Sequence, residues 1–263
     1  MKYHKLKMNT LIANLEKSDK QYLVKIKVPK LCLYTMLSVF CTFIFCIFWT
    51  VWFNLEDSTG THCRVKNYLP SISTAIGKYP AQQFLWTSII FAHCPCRIAV
   101  ISMYYQYYSK VVKPSLMWCV LLIWVLSIIE ICSLVSLSIF TSIKYFSIHE
   151  KSFFTFICAS ELNMLISCTL LKKGRCPKMI MTKVESKSLK YKIYLSIFNC
   201  VCFAFAGSAF VRHNAYCEPG VYTIFAFFEY FIALSNMGYH MTASMDLADI
   251  SIVLDESLNI HYR

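Results

Sequence analysis

Five ionisable side chains fall inside long apolar runs of this sequence: His93, Arg97, Glu130, Glu161 and Glu229. Asn199, Asn236 and His240 accompany them as polar neighbours. Charged groups at membrane depth are costly, so each one marks a functional site by default. His93 and Arg97 are four positions apart and share one helix face. Helical rise puts Arg97 about 20 Å below the outer end of its apolar segment, and Glu130 and Glu229 about 15 Å from the same side. One cation and several carboxylates at similar depths imply a polar interior between helices. Two readings fit. In one, Arg97 pairs with a carboxylate and the rest is interhelical glue. In the other, the groups line a cavity for a polar lipid headgroup, with His93 as base or headgroup ligand.

A second set lies at the edges of the apolar runs: His62, His149, Glu150, Arg212, His213 and Glu218. Arg and imidazole together suit a phosphate, whereas ordinary loop polarity accounts for His149 and Glu150. Cys94 and Cys96 form a Cys-Pro-Cys inside an apolar run, where packing explains them better than metal or redox chemistry. The sequence has no GxSxG, HExxH, phosphate-binding glycine loop or HxxxxD. No cofactor is implied and no metal-ligand spacing stands out.

The elements that position these residues follow from composition. Of 263 residues, 57% are apolar and only 15% charged, with mean hydropathy +0.50. Soluble domains carry about 25% charged residues, so the polar surface here is too small for a soluble globule. Six segments are long and apolar enough to span a bilayer, at 31–53, 84–108, 116–140, 152–171, 193–211 and 219–243. The expected architecture is all-α: a polytopic bundle of six transmembrane helices with a small lumenal cap.

The net charge of +12 is a topology signal. Eight Lys lie in 1–30, two in the loop 109–115, eight Lys and Arg in the loop 172–192, and Arg263 at the end, so one side holds nineteen of the 26 basic residues. That side is expected to be cytosolic. The second segment contains His93, Pro95 and Arg97, yet if it did not cross, loop 172–192 would face the lumen against this rule. Both termini are therefore expected in the cytosol: a basic tail over 1–30 and a C-terminal tail over 244–263. Basic flanks of this length do not make a nucleic-acid surface. The tail 1–30 is too polar for a cleavable signal, so the first span is expected to act as an uncleaved anchor.

The lumenal loops are then 54–83, 141–151 and 212–218. The first is too short for an independent domain and is expected to form a cap held by Tyr68, Leu69 and Ile72. Two cysteines, Cys63 and Cys217, fall in these loops. An oxidising lumen permits a disulfide between them; two free thiols are the alternative.

Several stretches are distinctive: Thr61-His62-Cys63, Asn67 to Ser73, Arg212-His213-Asn214, Tyr216-Cys217-Glu218, Gly220 to Ala226, Glu229-Tyr230, Asn236-Met237, His240-Met241-Thr242 and Asp246. Together with His93, Pro95, Arg97 and Phe146 to Glu150, they resemble the post-GPI-attachment-to-proteins factor 2 family over most of 30–250. That family often has His where this chain has Asn163, and the Cys-Pro-Cys is unusual for it. The resemblance implies lipid remodelling of GPI anchors in the Golgi, with some members in the endoplasmic reticulum. A lyso-GPI regains an acyl chain, and GPI-anchored proteins then stay at the cell surface. Partners would be membrane lipids and GPI-anchored proteins, and a separate acyltransferase if the protein is an accessory factor. If it is itself the transferase, His93 or His213 is the candidate base and Arg97 or Arg212 the charge stabiliser. His62, Arg212, Glu130, Glu229 and His240 are candidate headgroup ligands. A non-catalytic lipid-binding or sorting factor is the main alternative. A transporter is a third, against which the absence of internal repeats argues.

Overall fold

A computed structural model describes residues 24–254 and 260–262. Residues 1–23 of the basic tail, and 255–259 and 263 of the C-terminal tail, lie outside them. The chain opens with a short strand β1 (Val24–Lys27) that runs into α1 (Val28–Phe53). Two short helices, α2 (Leu55–Ser58) and α3 (Ile72–Gly77), lie in the connection to α4 (Pro80–Val111). A single 3₁₀ turn (Pro114–Leu116) leads into α5 (Met117–Ile139), followed by α6 (Phe146–Lys173), α7 (Lys183–Tyr216) and α8 (Val221–Met241). One turn of helix, α9 (Ala243–Asp246), and strands β2 (Ser251–Leu254) and β3 (Ile260–Tyr262) complete the described chain. Six helices are long and apolar enough to cross a membrane, and the protein is an all-α polytopic membrane protein.

Four of the long helices, α1, α4, α6 and α7, overrun the apolar segments, while α5 and α8 fall just inside theirs. The largest difference is in α7, which begins at Lys183 rather than near 193, so ten residues of the expected loop 172–192 are helical. Their helicity comes from a capping box: Thr182 accepts from the Glu185 amide, and the Glu185 side chain accepts from the Thr182 amide. Hydropathy finds the part of a helix inside lipid, and caps decide where the helix starts. Proline sits in the first turn of α1 and α4, where its missing N–H breaks no bond. Pro95 lies inside α4, about half a turn from both His93 and Arg97, and removes one backbone hydrogen bond there.

The six long helices form a closed ring. Each packs on the next in the order α1, α4, α5, α6, α7, α8, and α8 returns to α1. Large apolar side chains such as Trp52, Phe84 and Tyr194 point outward, as a lipid-facing surface requires. Inside the ring are apolar layers, including Val39, Phe43, Trp86 and Ile90 towards the α2–α3 end and Tyr108, Val120, Ile123 and Leu170 towards the other.

The two ends differ. At one, residues 54–79 fold over the ring as a cap. The cap hydrogen-bonds to α8 and the turn before it: the Gly220 amide donates to the Lys66 carbonyl at 2.9 Å and the Tyr68 amide to Thr223 Oγ1 at 2.8 Å. Tyr230 Oη donates to the Pro70 carbonyl at 2.6 Å. The Tyr68 side chain, expected to anchor the cap, is exposed; Ala75 and Ile76 are the buried apolar contacts. At the basic end, β1, β2 and β3 form an antiparallel sheet in that order, with Val24 opposite Leu254 and Ile252 opposite Tyr262. Both flanks of the helical ring therefore leave on the same side. Segments expected to be tails are thus paired in a sheet.

Candidate functional site

The interior of the ring holds a cavity of about 150 Å³. It runs from the cap, where Ser73, Gln83, Thr141 and His149 line it, down to His93, Arg97, Glu130, Asn236 and His240. Between Gln83 and Arg97 it follows α4 for about 21 Å. Its walls are mostly apolar, with Met36, Val39, Phe43, Trp86, Ile90 and Leu134 among them. The shape is a slot with polar groups at both ends, which is what a lipid needs from a binding site.

The deep end is built around Glu130. Its Oε1 lies 2.7 Å from His240 Nε2 and 3.4 Å from Arg97 Nη2. Asn236 Nδ2 donates to Oε1 at 3.4 Å and Asn163 Nδ2 to Oε2 at 3.5 Å. Four helices, α4, α5, α6 and α8, thus converge on one carboxylate. His240 Nε2 also lies 2.9 Å from Arg97 Nη2. A ring nitrogen cannot donate and accept at once. We place the ring proton on Nε2, donated to Glu130 Oε1 across the shorter contact, which leaves the approach of Arg97 Nη2 to Nε2 as a contact without a hydrogen bond. His93 sits one turn above Arg97 on the same face and is buried, with no partner for Nδ1. At the mouth, Thr141 Oγ1 is likewise buried without a partner.

Glu229 occupies the cap end. Its Oε2 accepts from the Ile72 amide at 2.9 Å, the first turn of α3, whose N-cap is Ser71. A carboxylate at a helix N-terminus is electrostatically favourable. His149 bridges the mouth: Nδ1–H donates to the Phe140 carbonyl at 2.7 Å, so Nε2 accepts from Ser73 Oγ at 2.8 Å. A smaller cavity of about 40 Å³ reaches Arg97 and His240 from the opposite, basic end, lined also by Tyr104, Tyr108, Asn163 and Lys192.

The candidate residues therefore separate. His93, Arg97, Glu130, Glu229 and His240 share the main cavity. Glu161 faces away from it, where it accepts from Cys200 Sγ at 2.8 Å. His62, Arg212 and His213 stand apart, at the joint of α7 and α8. Cys63 and Cys217 are joined there by a disulfide. Arg212 forms an exposed two-pronged pair with Glu218, at 2.6 and 3.0 Å, so a phosphate would have to compete with that carboxylate. The Arg212 guanidinium holds the Glu218 carboxyl below its ordinary pKa. His213 is wholly buried and His62 exposed. His149 and Thr141 line the main cavity and Asn163 the smaller one, although residue type and spacing did not single them out as site candidates. The signal that would have found His149 is its position three residues after the start of α6, at the cap end of the ring.

The profile of the Frag1/DRAM/Sfk1/Cwh43P N-terminal domain matches residues 28–250, the whole ring and its cap. A Drosophila pseudoobscura pseudoobscura protein named post-GPI attachment to proteins factor 2 is 42% identical over 213 residues, covering 81% of this chain and 83% of the relative. The chain belongs to this family. The Drosophila melanogaster protein of the same name is 40% identical over the same shares of both chains. A Xenopus tropicalis protein named acyltransferase PGAP2 is 36% identical over 217 residues, 81% of this chain and 84% of the relative. No solved structure matches. The matched region includes every residue of the cavity.

Proposed function

We propose that this protein acts in the maturation of GPI anchors, returning an acyl chain to a lyso-GPI so that the anchored protein stays at the cell surface. The observation that carries this reading is the slot itself: an apolar interior that ends on a buried His93, whose Nδ1 has no partner, beside Arg97. Relatives named for post-GPI attachment and for acyltransferase activity support it. The cap side is then lumenal, where GPI glycans lie. The basic side, with both termini, is cytosolic, and the membrane is that of the Golgi or the endoplasmic reticulum.

The chemistry needs a base, an oxyanion stabiliser and a dry site. The free hydroxyl of the lyso-lipid attacks the carbonyl carbon of an acyl thioester. His93 Nδ1 accepts the hydroxyl proton, and the Arg97 guanidinium faces the developing oxyanion. The carbon–sulfur bond breaks, and the departing thiolate takes the proton from His93. Glu130 and His240 hold Arg97 in position. The smaller cavity reaches the same Arg97 from the cytosolic side, which gives an acyl thioester its own approach. The gain for the substrate is large, because each buried CH₂ adds about 0.8 kcal/mol to membrane anchoring and one chain holds only marginally. His213 lies outside the cavity, so the proposal rests on His93.

A non-catalytic role is the second reading. It is favoured by the cluster around Glu130, whose carboxylate already neutralises Arg97 and is itself saturated with partners. Purified protein mixed with lyso-GPI and acyl-CoA separates the two. Formation of diacyl GPI supports the enzyme. Binding of lyso-GPI without turnover supports a lipid-presenting factor for a separate acyltransferase. In cells lacking the protein, normal diacyl anchors on a GPI reporter would overturn both.

A further inference from the structure

The joint of α7 and α8 carries chemistry that the lipid cavity does not use. His62 Nε2 lies 3.3 Å from Cys63 Sγ. The His62 and His213 rings are 5.5 Å apart, nearly perpendicular. One donor atom from each of His62, Cys63 and His213 falls within 4.8 Å of the others. Cys217 Sγ is bonded directly to Cys63 Sγ, so a fourth donor adjoins the group. Among the described residues no other set of three such side chains converges in this way. His213 supplies an independent observation: it is fully buried, and neither ring nitrogen has a hydrogen-bond partner. Buried imidazoles nearly always satisfy at least one nitrogen.

We propose that His62, Cys63, His213 and Cys217 form a redox-gated zinc site, empty of metal while the disulfide is closed and complete when it is reduced. Two imidazoles and two thiolates are a tetrahedral donor set suited to Zn²⁺. The disulfide sulfurs are not thiolates, so the oxidised joint offers only two imidazoles. In a tetrahedral zinc site the donors sit roughly 3.3–3.8 Å apart. His62 Nε2 and Cys63 Sγ are already at that spacing, and a His213 nitrogen lies within 4.8 Å of both.

The step balances as a thiol–disulfide exchange followed by metal binding. A dithiol reductant gives two electrons and two protons: its own sulfurs join, the Cys63–Cys217 bond breaks, and each sulfur takes a proton. Zn²⁺ then displaces both thiol protons to the medium. Cys63 and Cys217 are both partly exposed, so a reductant can reach them. Either closed form, disulfide or zinc, ties the cap to the α7–α8 joint. The reduced, metal-free form leaves the joint to the hydrogen bonds at Lys66 and Tyr68.

The test uses the full chain in detergent. One sample is kept oxidised and one is reduced with a phosphine, which becomes phosphine oxide as water supplies the oxygen and protons. Each is incubated with ZnCl₂, desalted and measured for zinc by mass spectrometry. The expected result is about one zinc per chain in the reduced sample beyond that of the oxidised one, with zinc protecting Cys63 and Cys217 from alkylation. Twelve other thiols are present among the described residues, so Cys63→Ser/Cys217→Ser is the control and must lose the added zinc. His62 is exposed, so His62→Ala keeps the fold and is expected to weaken binding; His213→Ala tests the buried ligand. Equal zinc in oxidised and reduced samples, or zinc unchanged in His62→Ala or in the double serine variant, would overturn the proposal.

Discussion

Glu130 and His240 are 110 residues apart in the chain and meet at 2.7 Å in the middle of the ring. That contact joins α5 to α8, and through Arg97 it also joins α4. The same carboxylate therefore closes the bundle and faces the base of the cavity.

Stability and activity should part company at this cluster. Removing one partner of a buried ion pair costs about 3–5 kcal/mol, because the other charge stays buried alone. Glu130→Ala should therefore lower the melting temperature in detergent sharply. Arg97→Met combined with Glu130→Leu removes both charges and should recover most of that loss. The double variant should nonetheless leave lyso-GPI on a reporter. Restored remodelling in the double variant would assign the cluster to structure alone.

His93 behaves differently, because its Nδ1 has no partner to lose. His93→Gln should fold with nearly normal stability and keep lyso-GPI binding. Its turnover should fall by about 10²–10⁴-fold, the usual contribution of a general base. The readout is the rate of diacyl GPI formation against bound lyso-lipid. His213→Gln, outside the cavity, should leave that rate close to normal.

The cap is held to α8 by few bonds, and Glu229 makes the most informative one. Glu229→Ala removes the acceptor of the partly buried Ile72 amide and should cost about 1–3 kcal/mol of cap docking. Glu229→Gln keeps an acceptor and should be milder. Limited proteolysis of residues 54–79 reads the difference. Equal protease resistance in all three proteins would count against this anchoring role.

Much of this arrangement was legible from residue type and spacing. Apolar runs gave the six spans, because a bilayer demands about 20 apolar residues of helix. The rarity of charge in those runs pointed to His93, Arg97, Glu130, Glu229 and His240, which do share one cavity. Depth arithmetic could not say which way each residue faces. Glu161 was grouped with the others by depth, yet it points away from the cavity towards Cys200. The cap was harder still. Its attachment runs through backbone groups at Lys66, Tyr68, Pro70 and Ile72, and backbone hydrogen bonding leaves no trace in side-chain type. The sheet joining β1 to β2 pairs segments more than two hundred residues apart, a register no local pattern specifies.

Two exposed pairs at the cap end, Lys78–Asp57 and Arg212–Glu218, titrate well below neutral pH. Hydrogen bonds from Lys78 and Tyr79 lower the Asp57 carboxyl below its ordinary 3.8, and Arg212 lowers Glu218 below 4.5. A lowered folded-state value means the pairs stabilise fully above the unfolded value and lose that contribution as pH falls through the folded one. From about pH 7 to about pH 5 both carboxylates stay ionised in either state. Protease resistance of the cap should therefore be flat across that range in the wild type and in Glu218→Gln alike. A drop near pH 6 confined to the wild type would contradict this assignment.

Lys192 offers the sharpest test of the basic end. It is 1% exposed, and its ammonium donates to Thr242 Oγ1 at 2.6 Å, Tyr104 Oη at 3.2 Å and Ser188 Oγ at 3.4 Å, and pairs with Asp246. The rings of Tyr104 and Tyr239 each lie 5.5 Å from it. The network ties α7 to α4 and to the turn α9, so it fixes the chain where it leaves the ring. An unpaired charge is worse than none at such a site. Asp246→Ala strands the ammonium and should destabilise by about 3–5 kcal/mol. Lys192→Met leaves Asp246 with its hydrogen bond from Tyr104 Oη at 2.7 Å, and should cost less. Combining Lys192→Met with Asp246→Leu should be more stable than Asp246→Ala alone. Melting curves of the three variants decide it: additive losses in the double variant would mean that the two residues act independently, despite their contact.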